Sequence, residues 1–283
     1  MIKRVGICGS GIMGSGIAEV AAKAGFEVVL RSRKQETADA TVAKLEKSLA
    51  KQVERGKLTE EDRVAILGRV TGTAHLGDLA DCDLVIESVV EDLATKKDLF
   101  VELDNVVKRD AILATNTSTL PVVEMAVATG RPDQVVGVHF FNPAPAMSLV
   151  EIIAPLTASA ETTAAVTAFA TACGKNPVAV QDRAGFIVNA LLFPYLNNAV
   201  RMLENRIASR DDIDTAMKGG CNFPMGPLAL LDLVGLDTSV AILDALYDEF
   251  RDPNYATVPL LRRMVSAGHL GRKSGQGFYD YSR

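Results

Sequence analysis

The sequence is poor in the residues that build most metal and redox sites. Its 283 residues hold three histidines and four cysteines. Cys8, Cys82, Cys173 and Cys221 are scattered, with no Cys-x-x-C pair, so neither a redox dithiol nor a zinc site at the usual spacings is offered. No apolar run reaches the roughly 18 residues of a membrane span. The chain opens directly on a strand-like segment, Ile2 to Cys8, so no targeting peptide is expected. Positive charge is not in excess either: Lys and Arg number 30 against 35 Asp and Glu, a net charge of −5. That balance removes the bulk electrostatic reason to expect a nucleic acid or membrane partner. Together these absences predict a reduced, cytoplasmic protein without a metal. Repeats and low-complexity tracts are missing too. What is present is a 48% hydrophobic chain, enough for one large or two ordinary domains.

The N-terminal half carries the clearest motif. Gly9-Ser-Gly11-Ile12-Met13-Gly14 follows the strand VGIC and opens a predicted helix over 12–24, closed by Gly25. A lone G-x-G-x-x-G is weak; between a strand and a helix it reads as a dinucleotide turn, with a pyrophosphate on the helix N-terminus. A second strand, Phe26 to Arg31, follows. An NAD site usually places an acid at this strand's end to bond the ribose hydroxyls. Here the residues are Arg31-Ser32-Arg33. Losing the carboxylate removes repulsion toward a 2′-phosphate, and a guanidinium can bind phosphate through two hydrogen bonds. The expectation is that NADP is accepted and preferred over NAD. The alternative is that both arginines face solvent or stack on adenine.

Further strands are expected at 83–88, 111–117, 134–141, 149–154 and 177–182, with helices at 91–107 and 161–173. This alternation predicts a Rossmann-type doubly wound α/β sheet over residues 1–183, with a helical-hairpin insertion at about 35–67. On the insertion, Lys44, Lys47, Lys51 and Arg55 recur at helical spacing; spacing alone favours a solvated surface stripe. From 184 to 283 the pattern is all-helical, with helices expected at 184–204, 211–219, 226–250 and 257–267. The first is apolar nearly all round (Phe186, Ile187, Leu191, Leu192, Phe193), which predicts a C-terminal homodimerisation domain. Asn189 is the polar residue on that segment.

One histidine stands apart. His139 ends an apolar strand and precedes Phe-Phe-Asn-Pro, whereas His75 and His269 lie in turn-like contexts. Most histidines are packing or surface residues. Yet Glu151 heads the next apolar run, and a strand, a Pro-bearing turn and a second strand can bring imidazole and carboxylate together. That pair suits proton transfer to or from an alcohol. Glu87-Ser88, Asn116-Thr-Ser118 and His139 all fall at predicted strand ends, where open α/β sheets bind ligands.

In order along the chain, GSGIMGSGIA, IESVVEDLATKKDLF, NTSTL, HFFNPAP, LVEII, GFIVN, DIDTAMKGG, PMGPLALLDLVGLD and GRKSGQGFYDY resemble the L-3-hydroxyacyl-CoA dehydrogenases, most closely the short bacterial 3-hydroxybutyryl-CoA dehydrogenases. The resemblance spans essentially the whole chain. It implies that His139 is the general base, oriented by Glu151, that Ser118 bonds the substrate's 3-oxygen, and that Asn189 positions the substrate carbonyl. Cofactor contacts implied are Gly9, Gly11, Ile12, Met13 and Gly14 in the turn, and Ser32 and Arg33 after the second strand. Glu91, Lys96, Asn116, Ser118 and Asn142 follow, and Lys273 more weakly. Ser32 stands where the family usually has Asp, which puts NAD specificity in doubt. Thr119 departs from the commoner Ser. Ser48, Lys51 and Arg55 match positions that reach coenzyme A phosphates, with Ser118 and Asn189 on the acyl end, so the resemblance turns the basic stripe into an acyl-CoA site. The implied reaction interconverts (S)-3-hydroxybutyryl-CoA and acetoacetyl-CoA; the alternative is a longer-chain enzyme of fatty-acid β-oxidation. A lysine-based hydroxyacid dehydrogenase is disfavoured by HFFNP with its downstream Glu. A Tyr-x-x-x-Lys enzyme is excluded, because none of the five tyrosines has Lys four residues on. A non-catalytic protein on this fold would be signalled by loss of His139 or Glu151.

Overall fold

The structure is a computed structural model and describes residues 1–282. Two compact units divide the chain, Met1–Asp182 and a second beginning at Arg183.

The first unit is built as β1 (Arg4–Cys8), α1 (Ile12–Lys23), β2 (Glu27–Arg31), α2 (Gln35–Glu54), α3 (Glu60–Leu67), β3 (Val70–Thr73), β4 (Leu84–Glu87), α4 (Leu93–Val106), β5 (Ile112–Thr115), α5 (Val122–Ala126), β6 (Val135–Phe140), β7 (Leu149–Ala154), α6 (Ala160–Ala172) and β8 (Asn176–Gln181). One eight-stranded sheet runs in the order β3-β2-β1-β4-β5-β6-β7-β8. The winding goes one way from β1 through β2 to β3 and the other way from β4 onward, so the crevice for ligands opens at the ends of β1 and β4. Every pairing is parallel except β6 with β7. The central strands are continuous apolar runs because helices cover both faces: β4, β5 and β6 are buried at every residue. On α1, Ile17, Ala18, Val20, Ala21 and Ala22 are buried; the alanines let the helix sit close on the sheet. Cutting a fully buried Ile7 or Leu84 to Ala costs about 2–5 kcal/mol.

Two elements escape the sequence pattern. β3 reads VTGT, only four residues with one glycine, and is a strand because it pairs with β2. Short α5 starts where the Asp182 carboxylate accepts the N–H groups of Val122 and Val123 at 3.0 and 2.7 Å, a cap from some sixty residues away.

The second unit contains α7 (Val188–Glu204), α8 (Arg210–Cys221), α9 (Pro227–Val234), α10 (Leu236–Phe250) and α11 (Pro259–Ser266). Its core includes Leu196, Leu228, Leu231, Leu236, Leu243 and Leu246, all fully buried. The helix expected over 226–250 is two helices, broken at Gly235, whose φ of 104° lies outside helical space. The helix expected from 184 begins only at Val188, because Phe186 takes φ 50°. Two buried carboxylates fasten the C-terminal segment. Asp214 accepts Leu228 and Ala229 N–H at the start of α9 and the Tyr279 hydroxyl. Asp232 accepts Phe278 and Tyr279 N–H and the Tyr281 hydroxyl, and burial raises its pKa. Side-chain room at position 277 is nil: a Cβ on Gly277 would lie 2.0 Å from the Asp232 Oδ1.

Candidate active site

His139 and Glu151 are direct cross-strand partners in the antiparallel pairing of β6 with β7. Their spacing of twelve residues is thus a register, with the Pro-bearing connection reversing the chain between the two strands. His139 Nδ1 lies 2.7 Å from Glu151 Oε2, and both residues are buried, at 5% and 1% exposure. With the carboxylate ionised, that contact needs the proton on Nδ1. In the neutral ring Nε2 then carries the lone pair and is the basic nitrogen. The Phe141 ring lies against the imidazole, centroids 4.5 Å apart. His75 and His269 are not buried.

The end of β6 is tied to β5 by Asn116, whose side-chain oxygen accepts the Phe140 N–H at 2.8 Å. Asn116, expected as a cofactor contact, thereby also fixes the residue next to His139. One and two residues on, the Thr117 hydroxyl and the Ser118 N–H both donate to Glu91 Oε1, at 2.6 and 2.8 Å. Glu91 precedes α4 rather than beginning it, since Asp92 caps that helix through Thr95 N–H. Lys96, also expected as a cofactor contact, is 1% exposed. Its ammonium is held by Glu87 at 2.6 Å and Glu91 at 3.3 Å.

The glycine turn fits a dinucleotide. Gly9 takes φ 115°, and a Cβ there would lie 2.2 Å from the Ser88 carbonyl oxygen. A Cβ on Gly14 would lie 1.9 Å from the Gly9 oxygen, so α1 starts hard against the turn. A Cβ on Gly11 would meet nothing within 4 Å, and the residue is exposed. No side chain caps the N-terminus of α1, and its first turn holds no acid, so its amides are available to an anion. Ile12 beside them is exposed and Met13 half-buried. Ser32 is buried, and its hydroxyl accepts from Ser10 at 2.9 Å; Arg33 is exposed. Asn142 is exposed in the turn after β6.

That turn is held by a residue with no local signal. Lys175 is buried, and its ammonium donates to the carbonyls of Ala144 and Met147 at 2.7 and 2.8 Å, while burial lowers its pKa. Partners 28 and 31 residues away cannot be seen in a sequence. On α2, Lys44, Lys47, Lys51 and the capping Arg55 are exposed and Ser48 is half-buried. Ala38, Thr41, Leu45 and Leu49 form the opposite, buried face. In the second unit, Asn189 is buried at the start of α7, and Lys273 pairs with Asp237 at 2.5 Å. Of the apolar residues read at this helix, Phe186 and Phe193 are buried while Ile187 and Leu191 are exposed. No group of three metal-ligating side chains is gathered among the described residues, and no helix there is long and apolar enough to cross a membrane.

The glycine turn at the switch point and the His–Glu pair on β6 and β7 of the same sheet define a dinucleotide-binding oxidoreductase of Rossmann type. Residues 4–183 match the 3-hydroxyacyl-CoA dehydrogenase NAD binding domain, and residues 185–281 match the C-terminal domain of the same enzymes. The chain belongs to the 3-hydroxyacyl-CoA dehydrogenase family. It is 50% identical over 282 residues to the 3-hydroxybutyryl-CoA dehydrogenase of Mycobacterium tuberculosis H37Rv, covering 99% of each chain. Identity to the Clostridioides difficile 3-hydroxybutyryl-CoA dehydrogenase is 48% over 280 residues, covering 99% of this chain and 100% of that one. The crystal structure of (S)-3-hydroxybutyryl-CoA dehydrogenase from Ralstonia eutropha matches with a TM-score of 0.98 at 43% identity, over 100% of both chains.

Proposed function

We propose that this protein interconverts (S)-3-hydroxybutyryl-CoA and acetoacetyl-CoA, in fatty-acid and butanoate metabolism. The observation that carries the reading is the buried cross-strand pair His139–Glu151, with relatives of that name matched end to end. In oxidation, His139 Nε2 takes the proton of the 3-hydroxyl, and Glu151 stabilises the imidazolium that results. Bound NAD(P) supplies the acceptor for the hydride that leaves C3. In reduction the imidazolium returns the proton to the 3-oxygen. Ser118 hydrogen-bonds that oxygen, and Asn189 positions the thioester carbonyl. Ser48, Lys51 and Arg55 receive the coenzyme A phosphates as charge-assisted contacts.

Gly9, Gly11, Ile12, Met13 and Gly14 form the pyrophosphate turn in this reading. Glu91, Asn116, Ser118 and Asn142 face the nicotinamide half, and Lys273 is a further cofactor contact. Ser32 and Arg33 favour NADP over NAD, supported by the missing acid after β2. The exposed Ile187 and Leu191 support a homodimer through the second unit. Four free cysteines support a cytoplasmic setting.

Turnover tests the function. Purified protein with acetoacetyl-CoA and NADPH or NADH consumes the reduced cofactor. His139→Ala lowers kcat by about 10²–10⁴-fold while its circular dichroism and melting curve stay those of the parent. Full activity in that variant would overturn the mechanism.

A further inference from the structure

We propose that Glu87 is a positioning residue for Ser118, acting through Lys96 and Glu91 on one side and through Thr115 on the other. Glu87 ends β4 and is fully buried. Its Oε1 receives the Lys96 ammonium and the Val89 N–H, both at 2.6 Å, and its Oε2 receives the Thr115 hydroxyl at 2.7 Å. Two routes run from this carboxylate to the turn at 117–118. In the first, Lys96 reaches Glu91 Oε2 at 3.3 Å, and Glu91 Oε1 holds the Thr117 hydroxyl and the Ser118 N–H. In the second, the Thr115 oxygen, its proton directed at Glu87, accepts the Thr117 N–H at 3.2 Å.

A buried ion pair is a weak stabiliser, because desolvating the two charges offsets most of their attraction. What the pair provides is a fixed place for an ammonium. The Glu91 side chain is 42% exposed and would sample several rotamers without a held partner. Lys96 supplies that partner, and Glu87 holds Lys96. Misplacing a reacting contact by about 1 Å costs roughly 100-fold in rate, so a turn that presents Ser118 gains from being fixed twice. The inference rests on the reading that Ser118 bonds the substrate's 3-oxygen.

The test is coupling to Ser118→Ala, with acetoacetyl-CoA and reduced cofactor at saturation. Glu87→Gln alone strands a buried ammonium, so the pair is removed together as Glu87→Gln/Lys96→Met. We expect kcat to fall by about 100-fold, and Ser118→Ala added to that background to cost under about threefold more. As a second arm, Thr115→Val cuts the other route without touching a charge; we expect about a tenfold fall in kcat, again less than multiplicative with Ser118→Ala. Parent-like kcat in either background, or losses that multiply with Ser118→Ala, overturns the proposal. If the pair variant does not fold, the Thr115→Val arm decides by the same criteria. Failure of the underlying function shows earlier and separately, as a parent protein that does not turn over acetoacetyl-CoA.

Discussion

His139 has one nitrogen committed to Glu151, and that commitment determines which nitrogen is basic. The two residues are legible as a candidate pair because each sits on a short apolar run, and a charged or titratable residue is seldom buried in such a run without a partner. At the same scale, Ser32 carries the cofactor choice. Its hydroxyl is buried and bonded by Ser10, leaving no carboxylate to bind a ribose diol or repel a phosphate. We expect kcat/KM with NADPH to exceed that with NADH. Ser32→Asp should move the ratio by at least about tenfold toward NADH, the scale of one charge-assisted hydrogen bond. A parent enzyme that clearly prefers NADH would remove this reading. The Glu87–Lys96 pair is half legible. Glu87 stands out as a strand-end residue, but nothing in the sequence says that a lysine nine positions on turns inward.

Among the elements, the readable strands are those buried on both faces, since helices on either side of a sheet require its central strands to be continuously apolar. β3 is not readable, because VTGT has neither length nor apolar continuity and exists only through its pairing with β2. The break at Gly235 is hidden for the opposite reason: the apolar pattern runs through it, and only the backbone angle ends α9. On α2, helical spacing places Lys51 and Arg55 on the exposed face, opposite Leu45 and Leu49. Whether they bind coenzyme A is a matter of charge. We expect Lys51→Glu/Arg55→Glu to lower kcat/KM for acetoacetyl-CoA by about tenfold or more at low salt, with the loss shrinking as ionic strength screens the contact. A salt-independent, parent-like kcat/KM would leave the stripe as mere surface.

For the molecule as a whole, the sheet is fastened at the ends remote from the site. Asp83, just before β4, accepts the N–H groups of Lys3 and Arg4 at 2.6 and 2.9 Å and pairs with Lys108. Burial alone would raise its pKa, but the hydrogen bonds from Lys108, Arg4 and Lys3 outweigh it and hold it below the ordinary value. A carboxyl depressed in this way adds stability above its unfolded pKa, near 4, and loses it as pH falls through the folded value. We therefore expect the melting temperature of the parent to drop between about pH 5 and pH 2 more steeply than that of Asp83→Asn, which starts lower and changes less. Parallel melting curves across that range would show that Asp83 contributes nothing to acid stability.

The sequence by itself determined the glycine turn, the α/β alternation, the all-helical second half and the residues able to do acid–base chemistry, because each depends on composition or on spacing within one element. Tertiary structure alone decided the rest. It set the His139–Glu151 register, the Asn116 tie to Phe140, the Lys175 hold on the turn after β6, and the Glu87–Lys96–Glu91 chain beneath Ser118. These contacts join residues on different elements, and a polar side chain finds such a partner only after packing has brought the two elements together.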